Sequence, residues 1–249
     1  MKNFTYIISL SLLVLVSSCG ISEDCFKGNG TPVTQTFPLE NFTKIKVYDG
    51  VGLVIKEGPN YEVIIKTSDN ILPNLEVKLE GDMLVVKDNS TCNITRDYGL
   101  TTVYVTSPNL NEIHSKTDQD IKSDGVLNFP NLKLVSLDLS DGAGTGDFYL
   151  ILNNLNFFIE SNNVSNFYIS GESENTYIAF YWGNGIFHGE NLKVGILNFF
   201  HRGSNDMIVY PIDKLEGTLY STGNVVLKNK TNQSPNVMQL YTGKLIDDF

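Results

Sequence analysis

Five polar turn clusters recur along residues 134–228 at a near-constant step of about 20 residues, a period typical of solenoids. They are Ser140-Asp141-Gly142, Ser161-Asn162-Asn163, Tyr181-Trp182-Gly183-Asn184-Gly185, His201-Arg202-Gly203-Ser204 and Ser221-Thr222-Gly223-Asn224. A short alternating strand precedes each cluster, as in Leu137-Asp138-Leu139, Phe157-Phe158-Ile159-Glu160 and Ile196-Leu197-Asn198-Phe199. A second strand follows each, as in Phe148-Tyr149-Leu150-Ile151, Ile186-Phe187-His188 and Val225-Val226-Leu227. A strand–turn–strand unit of this length cannot bury its apolar side alone. It must stack on copies of itself.

Upstream, residues 42–106 read as all β. Period-two alternation marks Phe42–Tyr48, Val51–Lys56, Tyr61–Thr67, Leu75–Glu80, Met83–Lys87 and Thr101–Thr106. Asp49-Gly50, Glu57-Gly58-Pro59-Asn60 and Gly81-Asp82 separate them, which predicts a meander of hairpins. Such a meander would cap one end of the solenoid and blunt an edge open to aggregation. Residues 110–134 introduce the strand–turn–strand cadence, and no segment shows sustained helical periodicity.

The N-terminus addresses the chain to a membrane. Lys2 precedes an apolar run from Tyr6 to Val16, too short for a comfortable transmembrane helix. The run ends in Val16-Ser17-Ser18-Cys19. Small residues before a Cys at this place resemble a bacterial lipobox, which implies cleavage before Cys19 and acylation of Cys19. Two or more acyl chains anchor stably where one does not. Gly20 after the cysteine, rather than Asp, favours the outer membrane, and Glu23-Asp24 resembles surface-export signals of Bacteroidetes lipoproteins. Gly28, Gly30, Pro32 and Pro38 make the following stretch read as a flexible tether.

Charge narrows the partners. The chain has 18 basic and 28 acidic residues, a net charge of −10, and cleavage would remove Lys2 as well. That argues against nucleic acid or an anionic membrane surface. Of the three cysteines, Cys25 and Cys92 remain beside Cys19, and in an oxidising compartment they are candidates for a disulfide pinning the tether to the first sheet.

The order of several short pieces resembles the head GIN domain family of auto-transporter adhesins, common among Bacteroidetes lipoproteins. The pieces are Ile45-Lys46-Val47 with Gly50-Val51-Gly52-Leu53-Val54-Ile55, Asp69-Asn70-Ile71-Leu72-Pro73-Asn74-Leu75, and Gly81-Asp82-Met83-Leu84-Val85-Val86. Val103 to Leu110 and Leu219 to Leu227 complete the set. The family's Ser-Gly-Ser-Gly-Asp turns survive in degraded form, as at Asp141-Gly142-Ala143-Gly144 and Gly203-Ser204-Asn205-Asp206, and are lost at Asn162-Asn163 and Trp182. The resemblance implies an all-β fold, a right-handed parallel β-helix-like solenoid with an N-terminal β meander cap, and no catalytic mechanism. The organisation expected is a signal peptide over 1–18, a tether over 19–40 and a single solenoid domain over 41–249.

Chemistry-bearing constellations are sparse. Asp138, Asp141 and Asp147, and again Asp118, Asp120 and Asp124, could offer oxygen ligands to Ca²⁺, but they match no Ca²⁺ loop and read better as solvated turns. Asp138, Asp141 and Arg202 could serve a carbohydrate-active enzyme only if the fold united them. His114, His188 and His201 have no metal-ligand spacing and read as surface residues. Aromatics crowd the repeats, with an interior place expected for most. Tyr181 and Trp182 fall in a turn, where an interior place is hard to arrange, so with Arg202 they are the candidate ligand-binding residues. The expectation is a non-catalytic, lipid-anchored outer-membrane module for adhesion or ligand binding, with a glycan or a protein as ligand and no cofactor or metal. A carbohydrate-active lyase or hydrolase on the same scaffold, and a structural envelope component, are the alternatives.

Overall fold

A computed structural model describes residues 23–249 apart from Thr91, Ser140 and Ala143; the expected signal peptide, Cys19 and the turn residue Ser140 lie outside the described residues. The chain is all β, and its strands stack as about six coils of a β-solenoid. Each coil has two long sides joined at the polar corner that the repeat announces.

The first complete coil is β2 (Lys44–Tyr48), the Asp49-Gly50 corner and β3 (Val51–Glu57). The next comprises β8 (Glu112–Lys116) and β9 (Ile121–Leu127), and β10 (Asn131–Ser136) leads onward. Four long strands follow: β11 (Phe148–Ser161), β12 (Phe167–Phe180), β13 (Phe187–His201) and β14 (Met207–Leu219). Each spans both sides of its coil. Its first half is stacked on β9 and its successors, its second half on β10 and its successors. The stack ends in β15 (Val225–Leu227), β16 (Asn236–Gln239) and β17 (Leu245–Asp247), all paired in parallel. The side carrying the strands ahead of the corner (β2, β8, β10, the second halves of the long strands, β16) is called here the leading face. The other is the trailing face.

The strand positions match the sequence reading closely, but two pairings differ from it. Asp49-Gly50 is not a hairpin turn. β2 and β3 are opposite sides of one coil, and each pairs in parallel with strands far along the chain, Lys46 with His114 and Leu53 with Ile121. The cap is antiparallel as expected but not sequential. It comprises β7 (Thr101–Ser107), β4 (Glu62–Ser68) and β1 (Pro32–Phe37) on one side, and β6 (Met83–Asp88) with β5 (Leu75–Glu80) on the other. Gly81-Asp82, linking β5 and β6, is the one hairpin of the three expected. β1 also shortens the tether expected over 19–40, because residues 32–37 pair with β4 in register. Cys25, buried, is joined to Cys92 by a disulfide with 4.8 Å between Cα atoms, which ties the N-terminal segment to the loop before β7.

Parallel stacking in register places like positions in columns. On the trailing side the interior column runs Leu53, Ile121, Phe148, Phe167, Phe187, Met207, Val225, Leu245. Phe148 and Phe167 stack at 4.7 Å between ring centroids. On the leading side the column is Ile45, Ile113, Leu134, Ile159, Ile178, Phe199, Gly217, Val237. At Gly217 a Cβ would lie 2.4 Å from Phe199 O and 2.6 Å from the Phe199 ring, so the backbone and large side chain of one coil occupy the space left by the next. At the bend between the two sides, Asn156 donates to Asn131 at 2.7 Å and Asn175 to Asn156 at 3.3 Å, a ladder that satisfies side-chain amides across coils.

The columns yield a contrast between neighbours in sequence. Phe167→Ala should cost about 3–5 kcal/mol through the cavity it leaves, whereas Tyr168→Ala, one residue away but facing outward, should cost about 1 kcal/mol. Urea denaturation followed by circular dichroism separates the two, and equal losses would contradict the assigned facing.

Candidate functional site

Strict alternation sends about half of the repeat aromatics outward, so the expectation that most are interior is corrected. Phe157, Phe167, Phe180, Phe187 and Phe199 are buried, while Phe158, Tyr168, Tyr177 and Trp182 are exposed. Outward aromatics form two separate groups, one on each face.

On the trailing face Tyr149, Tyr168 and His188 occupy one column. Their rings lie 4.7 and 4.4 Å apart at interplanar angles of 2° and 4°. Rings so nearly parallel cover one another's faces and offer only their edges to solvent. Lys122 caps the row, its ammonium 5.3 Å from the Tyr149 centroid. This row is a self-satisfied ladder.

The leading face is different. Phe158 and Tyr177 are paired in register, and Phe200 lies 5.8 Å from Tyr181 and 4.5 Å from Tyr220, at angles of 51° and 32°. Tilted rings leave part of each face open. The backbone sets the order here: Arg202 N donates to Phe180 O and Tyr220 N to His201 O, both at 2.8 Å, and Leu240 N to Leu219 O at 2.9 Å. Tyr181, Arg202, Tyr220 and Leu240 therefore occupy successive rungs of one column. Met238, Leu240 and Tyr241 continue the exposed apolar surface toward the C-terminal coil.

Of the residues singled out in sequence, Tyr181 and Arg202 are thus brought together on this face. Trp182 stands beside them at the corner, 56% exposed. Its side chain is free to reach solvent because Gly183 after it turns with φ 100°, where a Cβ would strike Asn163 O at 2.2 Å. Phe200, Tyr220 and the residues beyond 229 complete the surface. The step of 18 to 21 residues linking Tyr181, Arg202, Tyr220 and Leu240 was the available signal for them, had the last coil been counted.

Polar groups border the aromatic field on its N-terminal side. Tyr181 donates its hydroxyl to Glu160 Oε1 at 2.8 Å, and Lys133 ion-pairs with the other Glu160 oxygen. Burial and the Glu160 hydrogen bond push the Tyr181 phenol up to about 12, so it stays a protonated donor. Burial acts to raise Glu160, but its hydrogen bonds from Lys133 and Tyr181 outweigh this and hold it below the usual range. One coil earlier, His114 Nε2 meets Glu112 Oε1 at 2.8 Å, and burial holds His114 below its ordinary pKa despite that carboxylate.

The corner after β10 is longer than those of the coils that follow it, and one buried cation organises it. Leu137-Asp138-Leu139, expected as strand, instead forms part of this corner, with Leu139 exposed. Lys116, 3% exposed, donates to Leu137 O at 2.6 Å and Gly142 O at 2.8 Å and pairs with Asp141 at 2.7 Å; Lys46 pairs with the other Asp141 oxygen at 3.0 Å. The hydrogen bond from Lys116, reinforced by Lys46, holds Asp141 at about 2. Asp138 receives no such clamp; its backbone N–H is bonded to the Asn162 side chain. Asp141 and Asp138 form no ion pair with Arg202 among the described residues; Arg202 lies three rungs further along the stack than their corner.

His201 departs from its expected surface place. It lies at the end of β13 on an inward position, fully buried, with Nε2 2.9 Å from Asn205 O. Burial holds its pKa down.

Three solved structures share this fold. A crystal structure from Bacteroides fragilis described as a "putative adhesin" superposes with a TM-score of 0.79 at 17% identity, covering 89% of this chain and 100% of that one. A "putative adhesin" from Parabacteroides merdae gives 0.62 at 17% identity over 88% and 98% of the two chains. A "putative lipid binding protein" from Parabacteroides distasonis gives 0.62 at 14% identity over 88% and 98%. At these identities the likeness is one of fold. No curated protein matches the chain.

Two acid-labile windows follow from the site's ionisations. His114 and His201 have folded pKa values below 6.5, so the stability they contribute is present above 6.5 and is lost as pH falls through those values. Asp141, lowered from 3.8 to about 2, contributes stability present above 3.8 and lost as pH falls through about 2. Melting temperature against pH should therefore fall in two stages. Lys116→Met, which leaves Asp141 and two carbonyls without their buried partner, should cost about 3 kcal/mol near neutral pH and make the lower stage smaller; a variant with an unchanged profile would contradict the clamp.

Residues 41–231 match the family model described as "Putative auto-transporter adhesin, head GIN domain", and with three-quarters of its length inside that match, the chain belongs to this family of adhesin-like cell-surface or envelope proteins.

Proposed function

We propose that the protein is a non-catalytic adhesion module of the cell envelope, anchored through an acylated Cys19 in the outer membrane, and that it holds a glycan on the aromatic field of its leading face. One observation carries the reading: Tyr181, Phe200 and Tyr220 lie at mutual tilts of 51° and 32° and keep ring faces open beside hydrogen-bonding groups. Sugar rings present C–H faces to aromatic rings and hydroxyls to polar groups at their edge. Here Glu160, Lys133 and the exposed Arg202 supply that edge. The structures of the same fold from Bacteroides and Parabacteroides, two of them described as a "putative adhesin", support an adhesive role on this scaffold. A carbohydrate-active enzyme is favoured less, because Asp141 is committed to two lysines and the Tyr181 phenol stays protonated. Neither is poised to transfer a proton at neutral pH.

The test is a glycan array followed by calorimetry on the soluble chain from residue 20. Saturable binding should fall at least tenfold in Tyr220→Ala and in Trp182→Ala, and should survive Tyr168→Ala on the opposite face. Depolymerisation of any glycan would replace the adhesin reading with the enzymatic one, and silence on every glycan would transfer the surface to a protein partner or an assembly role. For the anchor, Cys19→Ala should move the protein from the detergent-extracted membrane fraction to the soluble one. Retention in the membrane fraction would refute the acyl attachment.

A further inference from the structure

The disulfide region carries exposed apolar side chains that belong to neither the core nor the aromatic field. Phe26, Ile94 and Tyr98 are 61, 66 and 79% exposed. They sit on two short segments clasped together by cross-links. Cys25 is bonded to Cys92, Ile94 N donates to Cys25 O at 3.2 Å, and Thr95 Oγ1 donates to Lys27 O at 2.8 Å. Asp97 N donates to Asn29 Oδ1 at 2.7 Å, and Asn29 Nδ2 returns to Asp97 Oδ2 at 2.6 Å. Each of the three apolar residues is therefore next in sequence to a cross-linked one, so the backbone beneath it is fixed. A single exposed apolar side chain is ordinary; three on one cross-linked clasp mark a surface that meets something.

Chain length identifies what lies within reach. Cys25 follows Cys19 by six residues, a span of at most about 20 Å even when fully extended. With β1 paired and Cys25 fastened, this short piece is all that separates an anchor at Cys19 from the fold. A bilayer holding Cys19 is thus presented to the clasp at high effective concentration. Aromatic side chains suit the boundary between headgroups and acyl chains, where an apolar body is covered and a polar tip stays wet. Charge selects the lipid: with Asp97 inside the clasp and a net charge of −10 on the chain, an anionic surface is disfavoured and a zwitterionic one fits.

We propose that the Cys25–Cys92 clasp lies on the zwitterionic bilayer surface beside the anchor, with Phe26, Ile94 and Tyr98 at headgroup level, an orientation that rests on the reading of Cys19 as the anchored residue. Three side chains are too little apolar area to hold a domain on a membrane unaided. The anchor supplies attachment, and the clasp fixes which part of the domain faces the lipid.

The experiment couples the chain from residue 19, through Cys19, to a maleimide lipid in phosphatidylcholine vesicles with brominated acyl chains. Cys25 and Cys92 are bonded to one another, which leaves Cys19 as the reactive thiol. A chemical anchor makes the test independent of acylation, which the Cys19→Ala fractionation decides separately. Trp182 is the one tryptophan of the chain, so in a Trp182→Phe background Tyr98→Trp and Tyr220→Trp each report from a single place. Val225, just past Tyr220, is six rungs beyond Leu53 along the trailing column, about 30 Å at the spacing of neighbouring strands. Emission of Tyr98→Trp should be quenched at least threefold more strongly than that of Tyr220→Trp. Adding Phe26→Ser with Ile94→Ser should remove most of the difference, and replacing part of the phosphatidylcholine by phosphatidylglycerol should reduce it. The substituted side chains are exposed, so the fold should survive, and circular dichroism checks that it does. The proposal is overturned if the two tryptophan variants are quenched equally, or if phosphatidylglycerol fails to weaken the quenching. It is also overturned if Phe26→Ser with Ile94→Ser leaves Tyr98→Trp quenched as before.

Discussion

In-register parallel hydrogen bonding between successive coils is the constraint from which the rest of this molecule follows. Once Phe148 is paired with Phe167 and Phe167 with Phe187, most other residues of those strands are committed to columns as well, bulges such as the one between Tyr168 and Ser170 apart. A residue's surroundings are then set chiefly by what occupies the same position about 20 residues away, not by its neighbours in sequence. This explains why like stands on like. Aromatic stacks on aromatic inside, Asn on Asn at the bend, and where two large groups would collide, one gives way to glycine, as Gly217 does beneath Phe199. The cost of the arrangement is an open edge at each end. The antiparallel strands β1, β4 and β5 answer it at the N-terminal end, and the disulfide between Cys25 and Cys92 fastens the segment that precedes them.

The same ladder produces two aromatic surfaces with opposite properties. On the trailing face Tyr149, Tyr168 and His188 stand on consecutive coils without interruption, so their rings collapse into nearly parallel contact and satisfy one another. On the leading face the aromatic positions are staggered: Tyr181 and Tyr220 occupy one column with Arg202 between them, while Phe200 projects from the adjacent column. Interruption prevents a continuous stack and keeps ring faces available. Exposed aromatic area alone would rank the two faces as equals; ring orientation distinguishes them.

The repeat period, the strand positions and the polar corners were legible in the sequence because each is a local property carried by alternation and by glycine, asparagine and aspartate. Pairing was not, since a hairpin and a solenoid corner use the same residues. Asp49-Gly50 and Gly81-Asp82 look alike, yet the first separates two sides of a coil and the second joins two strands of a hairpin. Asp49-Gly50 is decided by partners that lie about 40 to 70 residues away, in β6 and β7 as well as β8 and β9. His201 was misplaced because β13 runs on one residue past Phe200, which restores an inward parity that the turn-like His201-Arg202-Gly203-Ser204 string conceals. The proposed binding surface was half legible. Tyr181, Trp182 and Arg202 were named, but Met238, Leu240 and Tyr241 fall in the last coil, where short strands and many polar residues mask the period.

The long corner after β10 shows how a solenoid accommodates a departure from its own repeat. An insertion breaks the ladder locally, so its backbone carbonyls must find donors elsewhere. Lys116 supplies them from the coil below, reaching Leu137 O and Gly142 O while its charge is neutralised by Asp141, and Lys46 one coil further down secures the same carboxylate. The clamp therefore spans three coils. It lies beside the His114–Glu112 and Lys133–Glu160 pairs that border the aromatic field. Under the proposed function, a polar margin next to open aromatic rings would orient a ligand resting on them, because placed hydrogen-bonding groups discriminate between ligands whose apolar faces are alike. The irregular corner then adds its charged groups to that margin, while the regular coils carry the aromatic rings.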